Sequence, residues 1–99
     1  MDGPTFEALA RTALERLRST LEGDPDLDVE EKGDGVIEIS LDDGSKVIVN
    51  RHSAAQEIWV AARSGGFHFR WDGAAWRNTR DGRELFAAVE GLVALGRGS

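Results

Sequence analysis

No cysteine occurs among the 99 residues, and that absence removes disulfides, thiolate zinc sites, cysteine nucleophiles and thiolate-held clusters together. No apolar run approaches the roughly 20 residues that cross a bilayer, and the opening MDGPTFEALAR has neither a basic leader region nor an unbroken apolar stretch. The expectation is a soluble, mature, cytoplasmic chain. There is no glycine-rich phosphate cradle and no nucleophile beside a base. The two histidines, His52 and His68, sit at no recognisable ligand spacing; His68 reads as an exposed strand residue and His52 as part of a loop. Basic residues are scarce where acidic ones are dense. Residues 1–43 carry 13 acidic and 4 basic side chains, a balance of −9, whereas residues 44–99 carry 5 and 8, a balance of +3. Nucleic acid and anionic membranes are bound chiefly through Lys and Arg, so neither is expected as a partner. Cations or a basic protein surface are the natural complements.

What is present is one helix-sized pattern, a series of alternating runs, and a second helical pattern. Phe6, Leu9, Ala10, Ala13, Leu14, Leu17 and Leu21 recur at spacings of three and four, predicting a helix over about 5–21. The period then falls to two across about 26–78: Leu27 and Val29, then Ile37, Ile39 and Leu41, then SKVIVN, QEIWVAA and GFHFRW, separated by KGDG, DDG and RSGG, with WRN as a short sixth strand. Asp81 and Glu84 read as a capping-box variant opening a helix over about 82–95, with Leu85, Phe86, Val89, Leu92 and Val93 as its apolar face and GRGS as a frayed tail. Helix, antiparallel meander, helix is an α+β plan for a single domain over 1–99, with both helices on one face of the sheet. Alternation sends Val47, Val49, Ile58, Val60, Phe67 and Phe69 toward the helices, and Glu38, Lys46, Ile48, Asn50, Glu57, Trp59, Arg63, His68 and Arg70 outward. Trp59 is the odd one: a large aromatic on the open face. Trp71 and Trp76 flank a turn and read as local packing.

The densest feature is GDPDLDVEEKGDG, residues 23–35, where Asp24, Asp26, Asp28, Glu30, Glu31 and Asp34 follow Glu22 with Lys32 as the only cation. Like charges this close destabilise a compact state. Carboxylate oxygens are hard ligands, suited to iron, manganese, calcium and magnesium more than to copper or zinc. Asp26, Asp28 and Glu30, read as alternating on one strand face, lie roughly 6.5–7 Å apart and can hold an ion only loosely. A calcium loop starting at Asp24 fails, because its sixth position is Val29 and its twelfth is Gly35. A glycosidase pair needs a cleft that an open strand does not provide. The plainest alternative is a solvated charge run.

GSKVIVNR followed by IWVAARSGGFHF, DGAAW and a closing helix that begins DGRELF resembles the frataxin family, especially its bacterial frataxin-like members, over roughly residues 5–93. The resemblance implies a frataxin-like α-β(5-6)-α sandwich. It also implies weak iron binding along an acidic ridge, and a role in iron–sulfur cluster assembly through contact with a cysteine desulfurase and scaffold protein. Carried over residue by residue, the ridge maps onto Glu15, Glu22, Asp24, Asp26, Asp28 and Glu30, with Asp26 and Asp28 also facing the partner, and the partner-facing sheet maps onto Asn50 and Trp59. Arg18, Ser19 and Thr20 stand where bacterial relatives often have further carboxylates, and His52 and Glu57 replace glutamines. The function so implied is that of a monomeric accessory protein acting by contact, not an enzyme. A metal-indifferent acidic interaction module and a ferroxidase are the alternatives.

Overall fold

The structure is a computed structural model and describes residues 1–96. Its elements run α1 (Gly3–Glu22), β1 (Asp28–Glu31), β2 (Val36–Ser40), β3 (Lys46–His52), β4 (Glu57–Ala62), β5 (Gly65–Trp71), β6 (Trp76–Asn78) and α2 (Leu85–Gly96). The six strands form one antiparallel sheet in sequential order, so every connection is a turn between neighbours; β1 and β6 are the edge strands, β6 bridged at Arg77 by Glu84. Both helices cover one face. Phe6, Ala10, Leu14 and Leu17 from α1 and Leu85, Val89 and Val93 from α2 close over Ile37, Ile39, Val47, Val49, Ile58, Val60 and Phe69, all buried. Burying a large aliphatic or aromatic side chain contributes roughly 1.5–3 kcal/mol, and this single layer contact holds the fold.

The helix boundaries differ from the periodicity because capping groups set them. α1 begins at Gly3, two residues before the expected 5, since the Asp2 carboxylate accepts the Thr5 N–H (2.7 Å) and Pro4 lies in the first turn, where its missing N–H is harmless. α2 begins at Leu85 and not near 82. Asp81 accepts the Arg83 N–H inside a separate turn, and Glu84 itself caps the helix by accepting the Phe86 and Ala87 N–H groups at 2.8 and 3.1 Å. Gly96, expected to open a frayed tail, is instead the buried last residue of α2, tight against Leu41, and the rest of GRGS lies outside the described residues. Strand β1 starts at Asp28, so Asp26 belongs to the preceding turn, where the Asp24 carboxylate accepts its N–H at 2.9 Å. Trp76 is a core residue, edge-on to Phe6 and to Trp71.

Candidate functional site: an acidic ridge and the open sheet face

Because α1 runs down to Glu22 and β1 runs back beside it, the carboxylates line up along two antiparallel elements. They do not share one side. Asp28 and Glu30 pair across β2 with Ser40 and Glu38 and point to the open face, whereas Glu31 pairs with Ile37 on the helix side. Glu15, exposed on α1, lines a cleft of about 120 Å³ with Glu31, Asp34, Arg11 and Arg51. The ridge therefore wraps the free edge of β1. Glu31 and Asp34 join it beyond Glu15, Glu22, Asp24, Asp26, Asp28 and Glu30, the residues onto which the resemblance maps it; both belong to the same acidic run, Glu31 set on the helix side by strand parity and Asp34 carried there by the β1–β2 turn.

Part of the ridge is internally compensated. Glu22 pairs with Arg18 one helical turn back (3.3 Å), Glu30 with Lys32 (2.9 Å), Glu38 with Lys46, and Asp34 with Arg51 (3.1 Å). Lys32 lies in the field of Glu30, Glu38 and Asp28, which together hold its ammonium above the ordinary lysine range. Glu15, Asp28 and Glu31 have no ion pair among the described residues. Nor do any three carboxylates or imidazoles converge where they could hold a metal ion, again among the described residues. The donors are an array of hard oxygens. An ion meeting them keeps much of its water.

On the open face, Asn50 and Trp59 are direct cross-strand partners, with His68 next across β5. Trp59 is half-buried because its indole is sandwiched: His52 stacks on one side (centroids 3.7 Å apart, planes at 14°) and His68 on the other (4.6 Å, 12°). His52 is thus a strand residue, the last of β3, and not part of a loop. Its ring is fixed by the Ala55 N–H, which donates to Nδ1 (3.2 Å). Beneath the stack lies Glu57, outward by parity yet only 7% exposed. Its carboxylate accepts the Trp59 indole N–H (2.8 Å) and the Arg70 Nε–H (2.7 Å), and His68 Nδ1 lies 3.4 Å away. Burial pushes this carboxyl up, but the Arg70 and Trp59 hydrogen bonds and the neighbouring Arg70 charge outweigh it and hold the group below the usual glutamate value.

A family model for the frataxin-like domain matches residues 1–95. The chain belongs to the frataxin-like family. It is 58% identical over 95 residues to the iron–sulfur cluster assembly protein CyaY of Dechloromonas aromatica (strain RCB), across 95% of this chain and 90% of that protein. Its fold is that of the frataxin from Psychromonas ingrahamii, with a TM-score of 0.84 at 22% identity over 92% of this chain and 87% of that one. The trimeric frataxin from the yeast Saccharomyces cerevisiae, in its complex with ferrous iron, superposes with a TM-score of 0.70 at 22% identity, over 100% of this chain and 88% of that one. In this frataxin-like domain the two features worth explaining are a charge array at one sheet edge and a locked aromatic stack at the sheet centre. No described helix is long and apolar enough to cross a membrane.

Proposed function

We propose that this frataxin-like protein is an accessory factor of iron–sulfur cluster assembly in the cytoplasm. It binds iron weakly as cargo along Glu15, Glu22, Asp24, Asp26, Asp28 and Glu30, and docks as a monomer on a cysteine desulfurase and its scaffold protein. The observation that carries the reading is the wrapping of hard oxygen donors around both sides of the β1 edge, in a chain whose close relative is an iron–sulfur cluster assembly protein. The yeast structural neighbour, complexed with ferrous iron, supports the choice of metal. Chemistry at the ridge is exchange of water for carboxylate oxygen on an exposed ion, which needs no base and no nucleophile. The protein therefore acts by contact and without turnover, and oxygen uptake with ferrous iron should match a buffer blank.

Docking divides between two terms. The ridge attracts a basic partner surface from a distance, with Asp26 and Asp28 at its outer rim, and Asn50 and Trp59 make the short-range contact. An acidic interaction module indifferent to metal is the second reading, favoured by the pairing of Glu22 and Glu30 with Arg18 and Lys32. Anaerobic NMR titration with ferrous iron separates the two. Broadening confined to Glu15, Glu22, Asp24, Asp26, Asp28, Glu30 and their neighbours is the expected result; unchanged ridge resonances with intact desulfurase binding would establish the metal-indifferent module.

A further inference from the structure

A tryptophan on an open sheet face is ordinarily free to change rotamer. Here two rings of the stack are fastened by hydrogen bonds and the third lies against the same carboxylate. His52 is held through Nδ1 by the Ala55 N–H, and both Trp59 and His68 are directed at one oxygen of Glu57, 2.8 Å from indole Nε1 and 3.4 Å from imidazole Nδ1. The other Glu57 oxygen is held by Arg70. With its side chain 9% exposed, this carboxylate has donors on both oxygens and little water to exchange them for. Hydrogen bonds to a charged acceptor are roughly twice as strong as neutral ones, so the indole N–H is the tether and the carboxylate the post.

We infer that Glu57 is a positioning residue of the docking face: by accepting the Trp59 indole N–H it locks the indole between His52 and His68, so that a partner meets a pre-set row of ring edges and not a mobile indole. The inference rests on the docking role proposed above. It goes further in assigning a task to a residue that never touches the partner. Both indole faces are already taken by imidazoles, which rules out a partner side chain stacking on Trp59 and leaves the ring periphery as the contact. A side chain already held in its bound rotamer avoids the ordering cost of a free one, which corresponds to roughly two- to tenfold in affinity.

The test uses the full chain, a purified bacterial cysteine desulfurase, and four variants: Glu57→Ala, Glu57→Gln, Trp59→Phe and Trp59→Ala. Three readouts are taken: Kd, the ring-proton shifts of His52 and His68, and the melting transition. Glu57→Ala is expected to move both histidine ring shifts toward free values and weaken binding two- to tenfold. Glu57→Gln, which keeps an acceptor for the indole, should retain the ring shifts and bind within about twofold of the parent. Trp59→Phe keeps an aromatic ring but lacks the N–H, so it should lose the lock as Glu57→Ala does, and combining the two should add little. If Glu57→Ala does not fold, Trp59→Phe decides alone, because it leaves Glu57 bonded to Arg70. Parent-like ring shifts and Kd in Trp59→Phe or Glu57→Ala, with binding lost in Trp59→Ala, would overturn the positioning role and leave docking intact. Parent-like binding by Trp59→Ala would remove the docking role and this inference with it.

Discussion

Arg51 ties three elements together at the ridge, and replacing it tests whether the ridge has a fixed geometry. From β3 its Nε reaches Glu7 on α1 at 3.0 Å and its Nη2 reaches Asp34 in the β1–β2 turn at 3.1 Å. Its own N–H donates to the Gly35 carbonyl at 2.8 Å. Gly35 has φ +82, and a Cβ there would sit 2.9 Å from the guanidinium carbon, so the turn is shaped around this side chain. The Arg51 side chain is 15% exposed, Glu7 33% and Asp34 90%. Exposed ion pairs contribute about 0–1 kcal/mol, and breaking fully buried ones costs about 3–5 kcal/mol. A cation this covered, facing one half-covered and one solvated carboxylate, belongs between those limits. Arg51→Met, which keeps most of the aliphatic stem, should cost about 2 kcal/mol, Glu7→Gln about 1 kcal/mol, and Asp34→Asn less than about 0.5 kcal/mol. Urea melts of the three singles and the Arg51→Met/Glu7→Gln double would measure this, with a coupling of about 1 kcal/mol expected between Arg51 and Glu7. An Arg51→Met loss no larger than that of Asp34→Asn, or a coupling near zero, would show that the clamp does not hold α1 to the turn.

Two further outcomes follow from packing and titration. Asp72 is held below the usual carboxylate range by the Ala75 and Ala74 N–H groups, Asp43 by the Ser45 hydroxyl and N–H, and Glu57, against its burial, by Arg70 and Trp59. A depressed folded-state pKa gives stability that is complete above the ordinary carboxylate range, near about 4, and is lost as pH falls through the folded value. Urea midpoints of Glu57→Gln should therefore decline less than the parent's between pH 5 and pH 3, and parallel declines would refute the assignment. Gly96→Ala would set a methyl on top of Leu41 Cδ1 and 3.0 Å from Leu41 Cβ, costing about 1 kcal/mol by overpacking at the end of α2, or a melting temperature lower by roughly 4–8 °C. An unchanged melting temperature would mean that the last turn of α2 does not bear on Leu41.

The fold was legible because burial follows parity. Ile37, Ile39, Val47, Val49, Ile58, Val60 and Phe69 are buried as their alternation predicts, and Ile48 is exposed as the same rule requires. Boundaries were less legible, since Asp2, Asp24 and Glu84 act through one or two local hydrogen bonds that leave no periodic trace. The ridge was visible as composition, and parity separates Glu31 from Asp28 and Glu30, but the place of Asp34 beside Arg51 needed the folded turn. The stack was hidden for a related reason. His52, Trp59 and His68 lie on three strands, and no local spacing joins them. Only loop lengths do: the two-residue turn Arg63–Ser64 places Ala62 opposite Gly65 and hence Trp59 opposite His68, and the turn of residues 53–56 places His52 opposite Glu57. Glu57 misled most, because outward parity on an open face suggests solvent, whereas Trp59, His52, His68 and Arg70 together cover it.

The density of negative charge around β1 also has a structural consequence independent of any ligand. A free strand edge is a template for pairing with another chain, and charged side chains on both of its sides oppose that pairing. At β1 the same charges lie on the sheet whose centre carries the Trp59 stack, three strands away, or about 14 Å at the usual strand spacing. The Debye length at physiological salt is about 8 Å, so a partner seated on Trp59 lies within about two screening lengths of the ridge. One partner surface can therefore feel both. Under the docking proposed above, distance assigns expected kinetic roles: the ridge, acting before contact, should set association and its salt dependence, and the locked stack, acting only when water has been expelled, should set dissociation. A basic surface with no complement to the ring edges would arrive quickly and leave quickly, and an apolar surface without basic groups would arrive slowly. Requiring both narrows the partner more than either does alone.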